Sequence, residues 1–428
     1  MIRMRNLFLV GMGLLMGVAL CELGLRLAGV SYPIFSKIDG DLGVVLRPDA
    51  EGWWKTEGEV YVRINGDGLR DRDHSRSKPN EVLRIAVLGD SFAEAVQVKA
   101  EDAFWAVLER DLRGCPALEG REPEVINFGV SGYGTAQELI MLRRRVWAYS
   151  PDVVLLAVTP TNDVRNNFKA LEKDERRPYF VREGGQLLED TSFRERPGFR
   201  LRFSSLGQAL TSIRDASRLF QLVNEALRRV SRPIGPIHTV PPSEGGESGD
   251  HGEVVQAGET PAWLQGEIGL DMATYTAPPD ESWQEAWLVT EALVRQMHAE
   301  VEARGKLFMV LTVSSGPQVG PDQAARRSLE QRLGVSDLFY AENRLRQLGE
   351  QRFPVVTLAP VFQAYAEERK AFLHGFPNSG LGQGHWNVAG HRLAGQVVAE
   401  RLCTALADSR PHQTAGATLA SGAAYQAP

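Results

Sequence analysis

The sequence predicts an α/β domain built on a parallel sheet, preceded by one apolar helix. Three observations lead to this prediction. Short apolar runs recur along the chain with helical patterns between them, which is typical of a parallel sheet covered on both faces. Polar residues directly follow several of these runs. Finally, a long apolar stretch lies within the first 35 residues, behind two arginines.

The composition excludes several classes of protein. With 428 residues, of which 43% are hydrophobic, the chain is long enough to bury a sizeable core. The formal charge of -6 and the lack of a basic stripe argue against nucleic-acid binding. The eight histidines are dispersed, so neither a metal nor another cofactor is expected. Cys21, Cys115 and Cys403 are too scattered for a disulfide framework, and Cys115 can pair with Cys403 only if the fold brings them together.

Residues 1–35 are interpreted as a signal anchor with one transmembrane helix. An uncharged apolar run extends from Leu7 to Cys21, and apolar character resumes after Glu22. Glu22 and Arg26 lie four residues apart and can pair on a helix near the membrane surface. The positive-inside rule predicts a bacterial-type inner membrane protein with a cytoplasmic N-terminus and a periplasmic or extracellular domain. A cleaved signal peptide and a buried helix of a cytosolic protein are the alternatives.

Apolar periodicity predicts the individual elements. The five buried strands are expected at Leu83 to Leu88, Val125 to Phe128, Val153 to Val158, Leu307 to Val313 and Pro354 to Leu358. The helices are expected at Glu101 to Arg113, Thr135 to Tyr149, Leu206 to Val230, Ser282 to Arg304, Ala324 to Leu333, Phe339 to Gln351 and Asn387 to Leu406, with a hairpin at Tyr179 to Leu188.

These elements predict one interrupted domain over residues 83–406, after a lead-in at 36–82. An insertion at 169–280 interrupts it, and the acidic, Gly/Pro-rich part at 231–280 is expected to be flexible because it cannot bury enough apolar surface. The tail at 407–428 is expected to be disordered. The apolar stripe of the helix from Leu206 is expected to pack on the domain, with a partner or a membrane surface as the alternative.

Four polar groups follow strands of the predicted sheet. Ser91 follows the first strand, Gly132 the second, Asn162 the third and His385 the fifth. Because the carboxyl ends of parallel strands meet at one edge, we expect these groups to lie close together. Taken singly, Ser91 and Asn162 are explained equally well as a helix cap and a turn residue. Taken together, a hydroxyl, an imidazole and oxyanion donors are the parts that acyl transfer needs.

At these positions the sequence resembles the SGNH or GDSL hydrolases, in a membrane-anchored form. Four blocks carry the resemblance, in the order of the family: residues 87–92 (VLGDSF), residues 125–132 (VINFGVSG), residues 161–163 (TND), and residues 385–387 (HWN) with Gly390 and His391. The resemblance implies a three-layer, flavodoxin-like α/β/α fold. It also implies Ser91 as nucleophile and His385 as general base. The N–H groups of Ser91 and Gly132 and the Asn162 amide would form the oxyanion hole.

One position departs from the family. The family places an Asp two residues before the catalytic His, and this chain has Gln383 there. Gln383 can accept the Nδ1 hydrogen of the imidazole, but it carries no charge to balance an imidazolium. Three alternatives follow: Gln383 orients His385 in a Ser-His dyad, an acid such as Asp163 comes from elsewhere, or activity is weak.

The function expected from these observations is extracytoplasmic ester hydrolysis by a serine enzyme. O-acetyl esters on cell-envelope or secreted polysaccharide are the expected substrates, because an anchored, outward-facing domain can reach them. An O-acyltransferase of exopolysaccharide modification would use the same residues and differs only in whether water or an alcohol reaches the acyl-enzyme. An inactive scaffold is the third alternative, which the missing acid favours. The sequence does not indicate a protein partner.

Overall fold

The computed structural model describes residues 2–230 and 272–409 and has α/β architecture. Among these residues the strands are β1 (Ser36–Asp39), β2 (Gly43–Leu46), β3 (Glu51–Trp54), β4 (Val60–Arg63), β5 (Val82–Gly89), β6 (Glu122–Asn127), β7 (Val153–Val158), β8 (Tyr179–Glu183), β9 (Gln186–Asp190), β10 (Leu307–Thr312), β11 (Val355–Thr357), β12 (His374–Phe376) and β13 (Gly380–Trp386). The helices are α1 (Ile2–Leu27), α2 (Ser91–Glu94), α3 (Phe104–Leu112), α4 (Thr135–Arg144), α5 (Pro160–Asn166), α6 (Lys169–Glu172), α7 (Pro197–Phe203), α8 (Ser205–Ala216), α9 (Arg218–Val230), α10 (Glu281–Glu302), α11 (Gly316–Val319), α12 (Gln323–Leu333), α13 (Tyr340–Gly349), α14 (Ala359–Arg369) and α15 (Val388–Asp408).

The central sheet has five parallel strands in the order β11-β10-β7-β5-β6. These are the five buried strands that the sequence predicts, with ends that differ by three residues or fewer. Val87 of β5 pairs with Asn127 of β6 on one side and with Leu155 of β7 on the other. Strand β5 is therefore an interior strand, and its carboxyl end is flanked by those of β6 and β7.

Alternate residues of β5 supply two separate cores. Ile85 and Val87 join the apolar side chains of α3 and α15 on one face of the sheet. Ala86 and Leu88 join those of α4 and α10 on the other face. Because a strand sends successive side chains to opposite faces, an unbroken apolar run is what a sheet between two helical layers requires. The predicted three-layer α/β/α architecture is confirmed.

The lead-in contains two antiparallel hairpins that the sequence analysis missed, β1–β2 and β3–β4. Leu42, Val45, Val62 and Ile64 of this segment are buried in the core that covers one face of the central sheet. The lead-in therefore packs on the domain. Strands β12 and β13 form a further hairpin that was also missed, so His385 lies on a strand and not in an open loop.

The predicted helix from Leu206 to Val230 is two helices, α8 and α9, which are separated at Ser217. Ser217 Oγ accepts a hydrogen bond from Phe220 N at 3.2 Å and so caps α9. The expectation that the apolar stripe packs on the domain is wrong for α8, since its leucines are exposed. Helix α10 begins at Glu281, one residue before the expected start, and is capped by Asp280, which accepts a hydrogen bond from Trp283 N at 2.9 Å.

Two predicted flexible segments lie largely outside the described residues. These are residues 231–271 of the acidic insertion and residues 410–428 of the tail. The hairpin expected at Tyr179 to Leu188 is present as β8–β9. The last helix begins after Asn387, which caps it by accepting from Ala389 N and Gly390 N.

Helix α1 contains a 20-residue apolar window, Phe8–Leu27, with a mean hydropathy of 2.1 and no part buried against the rest of the chain. It is long and apolar enough to cross a membrane, a test that signal sequences also pass. Arg26 Nε donates to Glu22 at 2.8 Å, as expected from their spacing.

Cys115 and Cys403 form a disulfide across 288 residues of sequence. It joins the segment after α3 to α15, two elements that pack side by side on the same face of the sheet. A crosslink stabilises a fold mainly by restricting the unfolded chain, and the effect grows with the length of the closed loop.

Replacing Cys403 by Ser is expected to lower the free energy of unfolding by about 2–5 kcal/mol, because the unfolded chain regains the freedom that the crosslink removes. Urea unfolding of the full chain in detergent, followed by tryptophan fluorescence, measures this change. Cys21→Ser is the control and should leave the midpoint unchanged, since Cys21 is free and exposed. Equal midpoints for the two variants would show that the disulfide does not stabilise the fold.

Candidate active site

Ser91 lies where β5 turns into the short helix α2. Strand β5 ends at Gly89, and Asp90 caps α2 by accepting a hydrogen bond from Phe92 N at 3.0 Å. A Cβ on Gly89 would lie 2.8 Å from the Ala93 side chain, so this turn requires glycine. The cap is Asp90, which leaves the hydroxyl of Ser91 available for another contact.

That contact is with His385. His385 Nε2 and Ser91 Oγ are 2.7 Å apart, although 294 residues separate them in sequence. His385 is near the end of β13, whose hairpin lies outside the central sheet. The structure therefore brings together the hydroxyl and the imidazole that the sequence analysis selected.

Glu57 completes a chain of hydrogen bonds that the sequence analysis did not predict. Its Oε2 lies 2.6 Å from His385 Nδ1, and its Oε1 accepts from His385 N at 2.7 Å. Burial raises the pKa of this carboxyl, but the neighbouring His385 outweighs burial and holds the pKa below its usual value. Glu57 is thus a carboxylate in contact with the imidazole nitrogen that faces away from Ser91.

Gln383 was expected to orient His385 by contact with Nδ1. In the structure Glu57 makes that contact. Gly382 and Gly384, on either side of Gln383, have φ values of +82° and +68°, which interrupt the regular pleat of β13. A Cβ on Gly384 would lie 2.3 Å from Glu57 Oε1. The carboxylate therefore occupies space that is open only because residue 384 has no side chain.

Asp163, the other candidate for the acid, has a different role. It is fully buried and accepts a hydrogen bond from Thr159 N at 3.0 Å. Burial, reinforced by the charge of Asp90, raises its pKa well above the usual value. Asp163 thus holds a backbone turn, and the carboxylate beside His385 Nδ1 is that of Glu57.

The loop that carries Glu57 is fastened to the hairpin that carries His385. Asn378, in the turn between β12 and β13, accepts from Gly58 N at 2.9 Å. Its amide nitrogen donates back to Gly58 O at 2.9 Å and to Lys55 O at 3.2 Å. Trp54 Nε1 donates to Glu57 O at 3.0 Å. These bonds fix Glu57 relative to His385 through backbone atoms of the loop.

Buried side chains fix the backbone on both sides of His385. Trp386 is fully buried and donates through Nε1 to Ser314 Oγ at 3.0 Å. His374 Nδ1 lies 2.7 Å from Gly384 O, and burial lowers the pKa of His374 to about 4. A neutral His374 donates from Nδ1 to that carbonyl, so the backbone on both sides of His385 is tied to buried side chains.

The expected oxyanion donors lie beyond the ends of three adjacent strands. Asn162 is in α5, after β7, and its amide donates to Asp90 Oδ2 at 2.8 Å. Gly132 follows β6 with a φ of +79°, and Arg177 donates to its carbonyl oxygen. Asn162 is thus tied to the turn that holds Ser91. The oxyanion role of these groups stays a prediction.

Comparisons with known proteins give weak likenesses. No family model and no curated protein matches the chain. Among solved structures, a protein named as a lipolytic protein of the G-D-S-L family from Desulfitobacterium hafniense is 11% identical, with a TM-score of 0.31, over 74% of this chain and 98% of that one. An acetyl xylan esterase is 13% identical, with a TM-score of 0.34, over 75% and 98%.

A catalytic mutant of an acetylxylan esterase from Geobacillus stearothermophilus is 14% identical, with a TM-score of 0.34, over 74% of this chain and 93% of that one. These identities and TM-scores are too low to decide what this chain does.

Gly384→Ala is expected to slow the reaction of Ser91 with a fluorophosphonate about 100-fold, because a displacement of about 1 Å in a catalytic group has effects of this size. The new methyl group would collide with Glu57 and separate it from His385. The measurement is the rate of covalent labelling of the full chain.

Gly380→Ala is the matched control. Gly380 also has a positive φ, +100°, but a Cβ there would come no closer than 3.8 Å to any atom outside its immediate neighbours. Equal rates of labelling for the two variants would mean that backbone strain, and not contact with Glu57, sets the reactivity of Ser91.

Proposed function

We propose that this chain is a serine ester hydrolase in which Ser91 is the nucleophile, His385 the general base and Glu57 the acid. The observation that carries the proposal is the chain of hydrogen bonds from Glu57 through His385 to Ser91, at 2.6 and 2.7 Å. A base within hydrogen-bond reach of a hydroxyl, itself oriented by a third group, is the signature of an activated nucleophile. The four sequence blocks that resemble SGNH hydrolases agree with these roles.

In the first step, Ser91 Oγ forms a bond to the carbonyl carbon of the ester. Neutral His385 takes the Ser91 proton at Nε2. The Glu57 carboxylate accepts a hydrogen bond from Nδ1–H and balances the charge of the imidazolium. The carbonyl oxygen becomes an oxyanion, which the N–H groups of Ser91 and Gly132 and the Asn162 amide would stabilise.

In the second step, the tetrahedral intermediate collapses and the carbon–oxygen bond of the ester breaks. The imidazolium gives its proton to the departing alkoxide, so that an alcohol leaves and the acyl group stays on Ser91. Water then attacks the acyl-enzyme with His385 again as base. The products are a carboxylic acid and free Ser91, and no cofactor takes part.

The proposed location is outside the cytosol, with α1 in the membrane. The apolar window of α1 and the Cys115–Cys403 disulfide support it, since disulfides persist in oxidising compartments. O-acetyl esters of envelope or secreted polysaccharide are the proposed substrates, because these are acyl esters within reach of an anchored, outward-facing domain.

The scaffold alternative loses its main support. It depended on the absence of a carboxylate beside His385, and Glu57 lies there. The acyltransferase alternative differs from the hydrolase only in the acceptor of the acyl group, and both use the same three side chains.

Glu57→Gln is expected to lower kcat about 10⁴-fold, because the amide keeps the size of the side chain but cannot stabilise the imidazolium. Hydrolysis of p-nitrophenyl acetate by the full chain measures the effect, with Ser91→Ala as the zero-activity reference. Gln383→Ala is the control and should keep near wild-type kcat, since Gln383 is not the group that contacts His385 Nδ1. If Gln383→Ala were the more damaging change, Glu57 would not be the acid.

Asn162→Ala is expected to lower kcat about 10²- to 10³-fold with little change in KM, the effect of losing one oxyanion donor. Steady-state kinetics on the same ester separate the two constants. A change confined to KM would assign Asn162 to substrate binding and would remove it from the oxyanion hole.

The hydrolase and the transferase are distinguished by the fate of the acyl group. The full chain is incubated with an acetyl ester donor, with and without a polysaccharide acceptor, and the products are quantified by mass spectrometry. Free acetate formed at the same rate in both samples supports the hydrolase. Acetylated polysaccharide that replaces acetate would overturn it in favour of the transferase.

A further inference from the structure

Helix α8 carries an apolar stripe that faces away from the protein. Leu206, Leu210 and Ile213 are spaced four and three residues apart and therefore lie on one side of the helix. Their exposed fractions are 67%, 58% and 70%. Surface helices of globular proteins normally turn such a stripe towards the core, so the orientation of α8 is inverted.

The last turn of α8 is held by a polar contact on the side opposite the stripe. Asp215 is buried there and pairs with Arg47 of the lead-in at 2.6 Å. Asp215 O accepts from Gln221 Nε2 at 2.7 Å, which also fixes the bend into α9. Turning the stripe inward would break this contact between α8 and the lead-in and leave Asp215 with only Arg214, the adjacent residue of α8, as its partner. The fold therefore holds the stripe outward.

Neighbouring helices extend the same kind of surface. Helices α7 and α9 pack against α8 and expose further large apolar side chains. We define the outer apolar face as the exposed apolar side chains of these three helices: Leu201, Phe203, Leu206, Leu210, Ile213, Val223 and Leu227. So many exposed apolar groups on one segment indicate a surface that has a partner.

The outer apolar face begins at the end of α1. The Glu22 carboxylate of α1 accepts hydrogen bonds from Arg218 N at 3.0 Å and from Leu219 N at 3.1 Å, at the start of α9. Arg26 donates to Ala216 O, the last residue of α8, at 2.8 Å. The junction of α8 and α9 is thus fastened to the last turns of the apolar helix.

Exposed basic side chains lie among these apolar ones. Arg200 and Arg202 are on α7, and Arg214 is on α8. A polar face rich in arginine beside an apolar face with large aliphatic and aromatic groups is the pattern of helices that lie in a membrane interface. Basic groups at that depth are attracted by anionic lipid headgroups.

We propose that the outer apolar face lies in the headgroup region of the same bilayer that α1 crosses, with lipid as its partner. The proposal rests on the membrane insertion of α1 that forms part of the proposed function. Continuity with the end of α1 favours lipid over a protein partner, because the face starts where an inserted helix would leave the bilayer. The domain would then be held against the membrane at several points and not only by one helix.

A fluorescent label that senses lipid tests this proposal on the full chain in nanodiscs of phosphatidylethanolamine and phosphatidylglycerol. An environment-sensitive dye is attached to Leu210→Cys in a Cys21→Ser background, where Cys115 and Cys403 are protected by their disulfide. Ser212→Cys, on the other side of α8, and Gln331→Cys, exposed on α12, are the matched controls. The nanodiscs are prepared with and without lipid that carries a nitroxide quencher near the headgroup.

The expected result is a blue-shifted emission for the dye at residue 210, with quenching of about twofold or more by the nitroxide lipid, and little change at the two controls. Emission typical of water at residue 210 would overturn the proposal. A blue shift without quenching would also overturn it, because residues 231–271 or a second copy of the chain would then cover the face.

The dye on native Cys21 separates this proposal from the one on which it rests. Cys21 is exposed on α1 and should be shielded from water if that helix spans the bilayer. Shielding at Cys21 without quenching at residue 210 would overturn the docking of the outer apolar face and leave the anchor intact. Loss of both signals would reject the anchor as well.

Discussion

The contact between the Glu57 carboxylate and the His385 imidazole is the constraint on which the site depends. Burial raises the pKa of the Glu57 carboxyl, the charge and hydrogen bonds of His385 outweigh burial, and the carboxylate fixes the orientation of the imidazole. The imidazole therefore lowers the pKa of the carboxyl, and the carboxylate orients the imidazole. The contact joins two hairpins outside the central sheet, and Asn378 fastens them through backbone atoms. The central sheet fixes Ser91, and the two hairpins bring base and acid to it.

The sequence predicted which polar groups follow the strands of the parallel sheet. Ser91, Gly132 and Asn162 follow strands whose carboxyl ends must meet, so their proximity follows from the apolar runs alone. Glu57 was not predictable in this way, because it lies between two short antiparallel strands that carry no long apolar run. The resemblance to SGNH hydrolases pointed to Gln383, and the two glycines with positive φ on either side of it interrupt the regular geometry of β13.

The apolar stripe of α8 shows the limit of periodicity as evidence. Helical spacing identified Leu206, Leu210 and Ile213 as one face, but periodicity cannot say whether that face turns towards protein or away from it. The orientation of α8 depends on the ion pair of Asp215 with Arg47, a contact between residues 168 positions apart. A Cβ on Gly52, in the hairpin of Glu57, would be 2.6 Å from Pro33, so the segment just beyond α1 packs against that hairpin.

The disulfide also constrains the order of events during biogenesis. Cys403 lies in α15, 288 residues after Cys115, so under the proposed location oxidation must wait until both segments have been exported. Three cysteines allow three pairings, and two of them would use Cys21. With α1 inside the bilayer, Cys21 is kept away from oxidising enzymes that work in water. Membrane insertion would thus prevent incorrect disulfides with Cys21, so that Cys115 and Cys403 could pair only with each other.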